Sequence, residues 1–476
     1  MSEHDAGRTI ARTEFIESLE QKGLRYVDDT TYRGTHITST GAVDFVVKVQ
    51  ETFPFLPPTV LVDPEESVPW SWHRYHDGSM CLYTDDDHGT MPWLDVDAFL
   101  AQVHGWIDNT VTGWATDNPD MDLERYFAPA EQPMLILYEE LERYVGPCVI
   151  FRMSKYSAVV TGRGSAPRKH RPRRRLNGYV VDIGNPAVPP RTWAQLMALT
   201  KTSNDVTRMV QEGLIDVVLV RYHRGDASGV LALRVHWATN GIIAQAMPAA
   251  SKDASVLAMR AGPQRSTLEA GHVYLVGGGA IGSFIADGLV RAGLGQLTIQ
   301  DNDVVRPGNL VRHLVGERQL GMRKSEAIKD YLNGTSYSHC RIEVETTPML
   351  TLEEGLHALN SCDLVIDATA SSVATSVLGH AARITGKPMI AACLQNDGES
   401  QRVDVIPPLS GPAMDATPQR RSDVPVMYEG GCGSPVSPTP PYAVIEAAAM
   451  TVAHAVGLLT HEPLSPNGEL RDRGAS

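Results

Sequence analysis

Two cysteines and a glycine-rich turn are the residues of this chain best suited to chemistry. Cys81 lies in Gly78-Ser79-Met80-Cys81-Leu82, downstream of Phe53-Pro54-Phe55-Leu56-Pro57-Pro58. Cys432 lies in Gly430-Gly431-Cys432-Gly433-Ser434-Pro435, 432 − 81 = 351 residues later. Between them stands Leu275-Val276-Gly277-Gly278-Gly279-Ala280-Ile281-Gly282. A thiolate captures an activated acyl group and divides a difficult transfer into two easier ones. A Gly-x-Gly-x-x-Gly turn lets the backbone approach phosphates at a helix N-terminus. Together these features suggest activation of a carboxylate followed by acyl transfer between two thiols.

The turn needs a strand before it and a helix after it, and Val273–Val276 and Ser283–Ala292 carry those patterns. A second strand, Gln296–Gln300, ends at Asp301, 301 − 282 = 19 residues past Gly282, where a carboxylate suits ribose hydroxyls. Gly277, Gly279, Gly282 and Asp301 fit NAD as well as ATP. The following series separates the two: Asp301, Asp303, Val305, Asn309, Leu310 and Arg312, then Gly321 and Lys324. Cations placed there stabilise charge on a triphosphate, for which hydride transfer has no use. Asp367 ends a further buried strand, a position that suits Mg²⁺.

This segment, about 263 to 459, resembles the adenylation domain of the ThiF/MoeB and ubiquitin-activating family. The resemblance implies that Asp301 binds ribose, that Asp303 belongs to the same nucleotide motif, that Asn309, Arg312 and Lys324 contact phosphates, and that Asp367 binds magnesium. It also implies a homodimer in which Arg260 or Arg265 reaches the partner's triphosphate. Gly-Gly-Cys-x-x-Pro around Cys432 is similar to the catalytic-cysteine loop of ThiF-type activating enzymes.

Residues 12 to 110 resemble ubiquitin-conjugating enzymes through the Phe-Pro-Phe-x-Pro-Pro turn, Gly-x-Met-Cys-Leu, and Trp93 with its helix. The resemblance makes Cys81 the acceptor thiol. Conjugating enzymes place His-Pro-Asn ahead of the cysteine, whereas this chain has Trp72-His73-Arg74-Tyr75-His76. His73 falls eight residues before Cys81 (81 − 73), where that asparagine belongs, and His73 or His76 is the candidate hydrogen-bond donor. The acidic run Asp85-Asp86-Asp87 either orients an incoming amine or is a solvated loop.

Composition bounds the rest. A chain of 476 residues implies two or three domains. The net charge of −14 argues against a general nucleic-acid binder, with the basic run Arg168–Arg175 read as an exposed loop. The first residues are polar and acidic, unlike a secretory signal, and Tyr442–Leu459 carries Glu446 and His454 and reads as a packed helix. Six scattered cysteines without a Cys-x-x-Cys pair imply reduced thiols, a cytoplasmic location and no structural zinc.

The expected architecture mixes α/β and α+β domains. It comprises a ubiquitin-conjugating-like α+β domain over 1–145, an α+β linker domain over 146–262, and a Rossmann-like ThiF/MoeB adenylation domain over 263–476. That order resembles the bacterial activating–conjugating fusions of CBASS antiphage operons. The resemblance implies ATP and Mg²⁺, activation of the C-terminus of a cyclic-nucleotide synthase (a CD-NTase) or a ubiquitin-like protein, and attachment to target lysines, with neither membrane nor nucleic acid involved. A ThiF-like adenylyltransferase serving a sulfur carrier and an NAD-dependent oxidoreductase are the other readings.

Overall fold

A computed structural model describes residues 3–114, 122–141, 143–164, 167–169, 172–224, 227–253, 255–256, 259–335, 339–420, 427–428, 435–436 and 438–474. The chain forms two compact units, Met1–Asp253 and Ala254–Ser476.

The first unit opens with the helix Glu3–Gln21, which buries Phe15 and Leu19. An antiparallel meander follows: Arg25–Asp28, Thr31–Thr38, Gly41–Lys48 and Thr59–Val62 pair in sequence order. Its alternating burial places Val43, Phe45 and Val47 on the core face. Asp95 caps the helix Val96–Thr112 by accepting from the N–H groups of Asp97 and Ala98, and Phe99, Val103 and Ile107 pack inward. Trp93 is fully buried and its indole N–H donates to the Pro54 carbonyl at 2.7 Å.

The same unit holds an eight-stranded mixed sheet. Its interior strands are continuous apolar runs such as Val217-Val218-Leu219-Val220, buried on both faces. Beside it lie two helices, Trp193–Ala198 and Ser203–Gln211. Leu135–Tyr138 pairs with Ser157–Arg163 and Ala249–Ser251, so this sheet begins before residue 146.

The second unit is built on a seven-stranded sheet. Its first five strands are parallel, in the order Arg341–Glu345, Gln296–Gln300, His272–Val276, Leu364–Asp367 and Met389–Gln395. Ser400–Ile406 and Gly468–Asp472 add antiparallel strands. His272–Val276 and Leu364–Asp367 are adjacent, so the turns after both strands meet at one sheet edge, where ligands of such sheets bind. The helix Pro441–Leu459 is long and apolar enough to cross a membrane by length and composition. Here it packs against the helix Ala280–Ala292 and the sheet, and its buried His454 lies 3.1 Å from Glu469.

Candidate active site

The strand His272–Val276 ends in Gly277, whose φ of +96° and close approach to the Ala368–Thr369 backbone exclude a side chain. A Cβ on Gly282 would lie 1.8 Å from the Gly277 oxygen, so this glycine lets the helix Ala280–Ala292 start directly over the turn. Gly279 differs from both. Among the described residues a Cβ there would meet nothing within 4 Å, so none of them demands glycine. The open space fits an incoming group that must approach the backbone. Gly279 caps the helix without a side-chain partner, leaving first-turn N–H groups for an anion.

Three cation- or amide-bearing residues close on that space. Asn309, Arg312 and Lys324 line a small cavity of about 40 Å³ with Gly279, Ala280 and His313. Asn309 is fixed by its side-chain oxygen, which accepts from the Arg306 N–H at 2.9 Å. Arg312 donates to the Thr439 carbonyl at 3.2 Å. Lys324 begins the helix Lys324–Asn333 and its Nζ lies 2.6 Å from an Asp303 oxygen. Burial alone would raise the Asp303 pKa, but the Lys324 hydrogen bond and charge outweigh it and hold the carboxyl below its usual range.

A larger cavity of about 310 Å³ continues from Gly277 and Gly279 past Asp301, Asn302 and Lys324 to Thr347, Met349 and Thr369. Asp301 accepts from the Gly278 N–H at 2.7 Å and the Asp303 N–H at 2.8 Å. The carboxylate therefore ties the glycine turn to the loop that carries Asp303. Asp367 is buried, and its oxygens accept from the Thr369 N–H and hydroxyl and from the Thr375 hydroxyl. A carboxylate has about four acceptor sites, so these three bonds leave one. Among the described residues no cluster of three or more His, Cys, Asp or Glu could hold a metal. Magnesium needs no such cluster, because it binds through one or two carboxylates and substrate phosphates.

Of the two arginines ahead of the glycine turn, Arg260 is exposed. The stem of Arg265 packs over Gly293 at the end of the following helix. Cys432 lies outside the described residues.

Residues 253–468 match the model of the ThiF family. The matched span takes in the glycine turn, both cavities and Asp367. Over 156 residues the chain is 33% identical to the ATP-dependent ubiquitin transferase-like protein Cap2 of Pseudomonas aeruginosa, covering 32% of this chain and 27% of that protein. Over 135 residues it is 33% identical to the adenylyltransferase and sulfurtransferase MOCS3 of Aedes aegypti, covering 28% of this chain and 30% of that protein. The chain thus spans less than a third of the curated relatives it matches. Escherichia coli MccB with MccA-N7isoASN aligns at 20% identity and a TM-score of 0.34, over 44% of this chain and 68% of that one. The span that matches the ThiF-family model contains six strands of the seven-stranded sheet with the Gly277 turn, and it ends at Gly468, where the antiparallel strand Gly468–Asp472 begins.

The surroundings of Cys81 lie in the first unit. Cys81 is partly exposed, and its N–H donates to the His73 carbonyl at 2.9 Å. His73 stacks on Trp114 with ring centroids 3.5 Å apart, while His76 is exposed. A tyrosine hydroxyl stands against the thiol. Tyr75 Oη lies 3.5 Å from Cys81 Sγ, and the Arg125 guanidinium sits 5.5 Å from the centre of the Tyr75 ring. Sequence reading missed Tyr75, although its place six residues before Cys81 in a tight hairpin, closed by the Arg74–Met80 bridge, was a usable signal. Asp87 folds back to accept from the Thr84 N–H and hydroxyl, capping a short 3-10 helix, and Asp85 and Asp86 are exposed. Cys148, Cys340 and Cys362 are buried, and burial pushes their thiols up to about 12. Cys393 is half-buried and shifted upward by the same cause.

Proposed function

We propose that this protein activates the C-terminal carboxylate of a protein substrate with ATP and relays the acyl group through thioesters to target amines. The carrying observation is the convergence of the open Gly279 backbone, Asn309, Arg312 and Lys324 on one cavity at a helix N-terminus. The ThiF-family match supports adenylation, and the Cap2 likeness supports ubiquitin-like transfer.

In the first step a carboxylate oxygen of the substrate attacks the α-phosphorus of ATP. The bond to the bridging oxygen breaks and pyrophosphate leaves. Gly277, Gly279, Gly282 and the first-turn N–H groups cradle phosphate, Asp301 holds the ribose, and Asn309, Arg312 and Lys324 stabilise charge on the departing pyrophosphate. Asp303 orients Lys324. Asp367 would hold Mg²⁺, which draws charge from the phosphates. Arg260, the exposed one of the two upstream arginines, reaches a second copy in the proposed homodimer, with Arg265 as the other candidate.

In the second step the Cys432 thiolate attacks the acyl carbon and AMP leaves. Next the Cys81 thiolate attacks the Cys432 thioester and frees Cys432. A target lysine amine then displaces Cys81, losing a proton as the amide forms. The first unit's meander, its Cys81 hairpin and Trp93 support a conjugating-like role, with Tyr75, His73 and His76 as candidate donors around the thiol. The CBASS-like arrangement makes a CD-NTase the proposed substrate, in antiphage defence.

Purified protein is incubated with ATP, Mg²⁺ and the candidate substrate, and intact mass is followed with Cys81→Ala and Cys432→Ala in parallel. A thiol-labile adduct that reaches Cys81 only when Cys432 is present supports the relay. Normal Cys81 loading in Cys432→Ala refutes the two-thiol order. A second reading, adenylation of a sulfur carrier without thioester transfer, draws on the MOCS3 likeness. It predicts ATP turnover that is indifferent to Cys81. The NAD-dependent reading leaves Arg312 and Lys324 without a task.

A further inference from the structure

A groove of about 700 Å³ in the first unit crosses one face of the eight-stranded sheet. Its lining residues Arg152, Leu176, Val217, Arg234 and Met247 lie on Gly146–Arg152, Arg175–Asp182, Val217–Arg224, Ala227–Ala238 and Gly241–Met247, which are consecutive neighbours in the sheet. Four interstrand steps of about 4.8 Å make the groove about 19 Å long across the strands. That length takes about six residues of extended chain. The floor is apolar: Met134, Val217 and Met247 belong to the buried cluster beneath, and Leu176 packs on it.

The rim carries cations. Arg152 and Lys155 stand at one end and Arg234 three strands away. Among the described residues none of the three makes an ion pair, and Arg152 Nε is buried without a hydrogen-bond partner. A buried guanidinium nitrogen without an acceptor costs free energy that an incoming carboxylate recovers. Arg152 also donates its backbone N–H to the Arg174 carbonyl at 2.8 Å, which brings the basic run to this end of the groove. Two acids line it as well. Glu131 is exposed, and Asp216 accepts from the Asn177 N–H at 2.8 Å. In a chain of net charge −14 this basic rim is a local reversal.

We infer that the groove docks an extended protein segment of alternating acidic and apolar residues lying across the strands. Arg152 and Arg234 are separated by three interstrand steps, about 14 Å. In an extended chain that matches acidic residues four positions apart. The inference stands independently of the reading of the ThiF-family domain.

The test uses the full chain and a fluorescein-labelled ten-residue peptide of valine and threonine with two glutamates four positions apart, read by fluorescence anisotropy. Saturable binding is expected. It should weaken about tenfold or more in Arg152→Ala/Arg234→Ala and survive in Arg152→Lys/Arg234→Lys. A peptide with lysines in place of the glutamates should not bind. Equal binding by wild type and the alanine pair overturns the inference, as does no binding up to about 1 mM peptide. Displacement of the peptide by a single-stranded oligonucleotide at lower concentration also overturns it, by assigning the cations to nucleic acid. Unchanged melting of the variants confirms that a loss reflects the groove and not the fold.

Discussion

The His313 imidazole holds the glycine turn: Nε2 donates to the Gly278 carbonyl at 2.8 Å, while Nδ1 accepts from the Val315 N–H at 3.3 Å. These two bonds require the neutral ring with its proton on Nε2. Burial pushes the His313 pKa down, the Gly278 bond opposes this, and the Lys324 charge adds to the lowering.

Stability should therefore depend on pH through His313. The unfolded ring titrates near its ordinary value, about 6.5, and the folded ring lower. Between those values the unfolded state binds more protons, so the contribution is present above about 6.5 and is lost as pH falls through the folded pKa. His313→Gln keeps a donor but does not titrate. Urea denaturation from pH 8 to 5 should show wild type losing stability below about 6.5 more steeply than His313→Gln. Parallel curves would remove the role assigned to this proton.

The glycines separate fold from binding. Gly282→Ala forces a Cβ against the Gly277 oxygen and should cost about 3 kcal/mol or more. Gly279→Ala meets nothing among the described residues and should leave stability within about 1 kcal/mol of wild type. If phosphate approaches that backbone, Gly279→Ala nonetheless loses ATP binding. Thermal melting with and without ATP reads both effects, and an ATP-induced shift equal to that of wild type would place the phosphate elsewhere.

Lys324→Ala should lower ATP–pyrophosphate exchange by about 10²–10³-fold, the usual effect of deleting one preorganised charge-stabilising donor. Asp303→Asn should have a smaller effect, because it releases Lys324 without removing it. A Lys324→Ala enzyme with full exchange would show that the cavity beside Gly279 is not the phosphate site.

The parts of the candidate site were legible in the sequence because they are local: a turn between strand and helix, then a short polar series. Each residue's place follows from a few positions on either side. The partners that hold those residues were not legible. His313 reaches back 35 residues to Gly278, and Gln300 reaches forward 47 residues to Thr347. The order of the eight-stranded sheet was likewise hidden, since Leu135–Tyr138 joins Ala249–Ser251 across more than a hundred residues and no local periodicity encodes that pairing. At Cys81 it is the hairpin geometry, and not residue type, that sets Tyr75 against the sulfur.

Thiol reactivity gives the last prediction. Cys148, Cys340 and Cys362 are pushed up to about 12, so at pH 8 only about one molecule in 10⁴ carries each thiolate, and each is also shielded from solvent. Cys81 is accessible, with Tyr75 Oη against its sulfur. Brief iodoacetamide treatment of the native protein should therefore alkylate Cys81 well before these three, as read by peptide mass. Tyr75→Phe removes the hydroxyl while keeping the ring under Arg125. If that hydroxyl serves the thiolate, the variant should change the Cys81 alkylation rate and its pH profile without lowering the melting temperature. An unchanged profile would leave Tyr75 as a packing neighbour and return the search for a hydrogen-bond donor to His73 and His76.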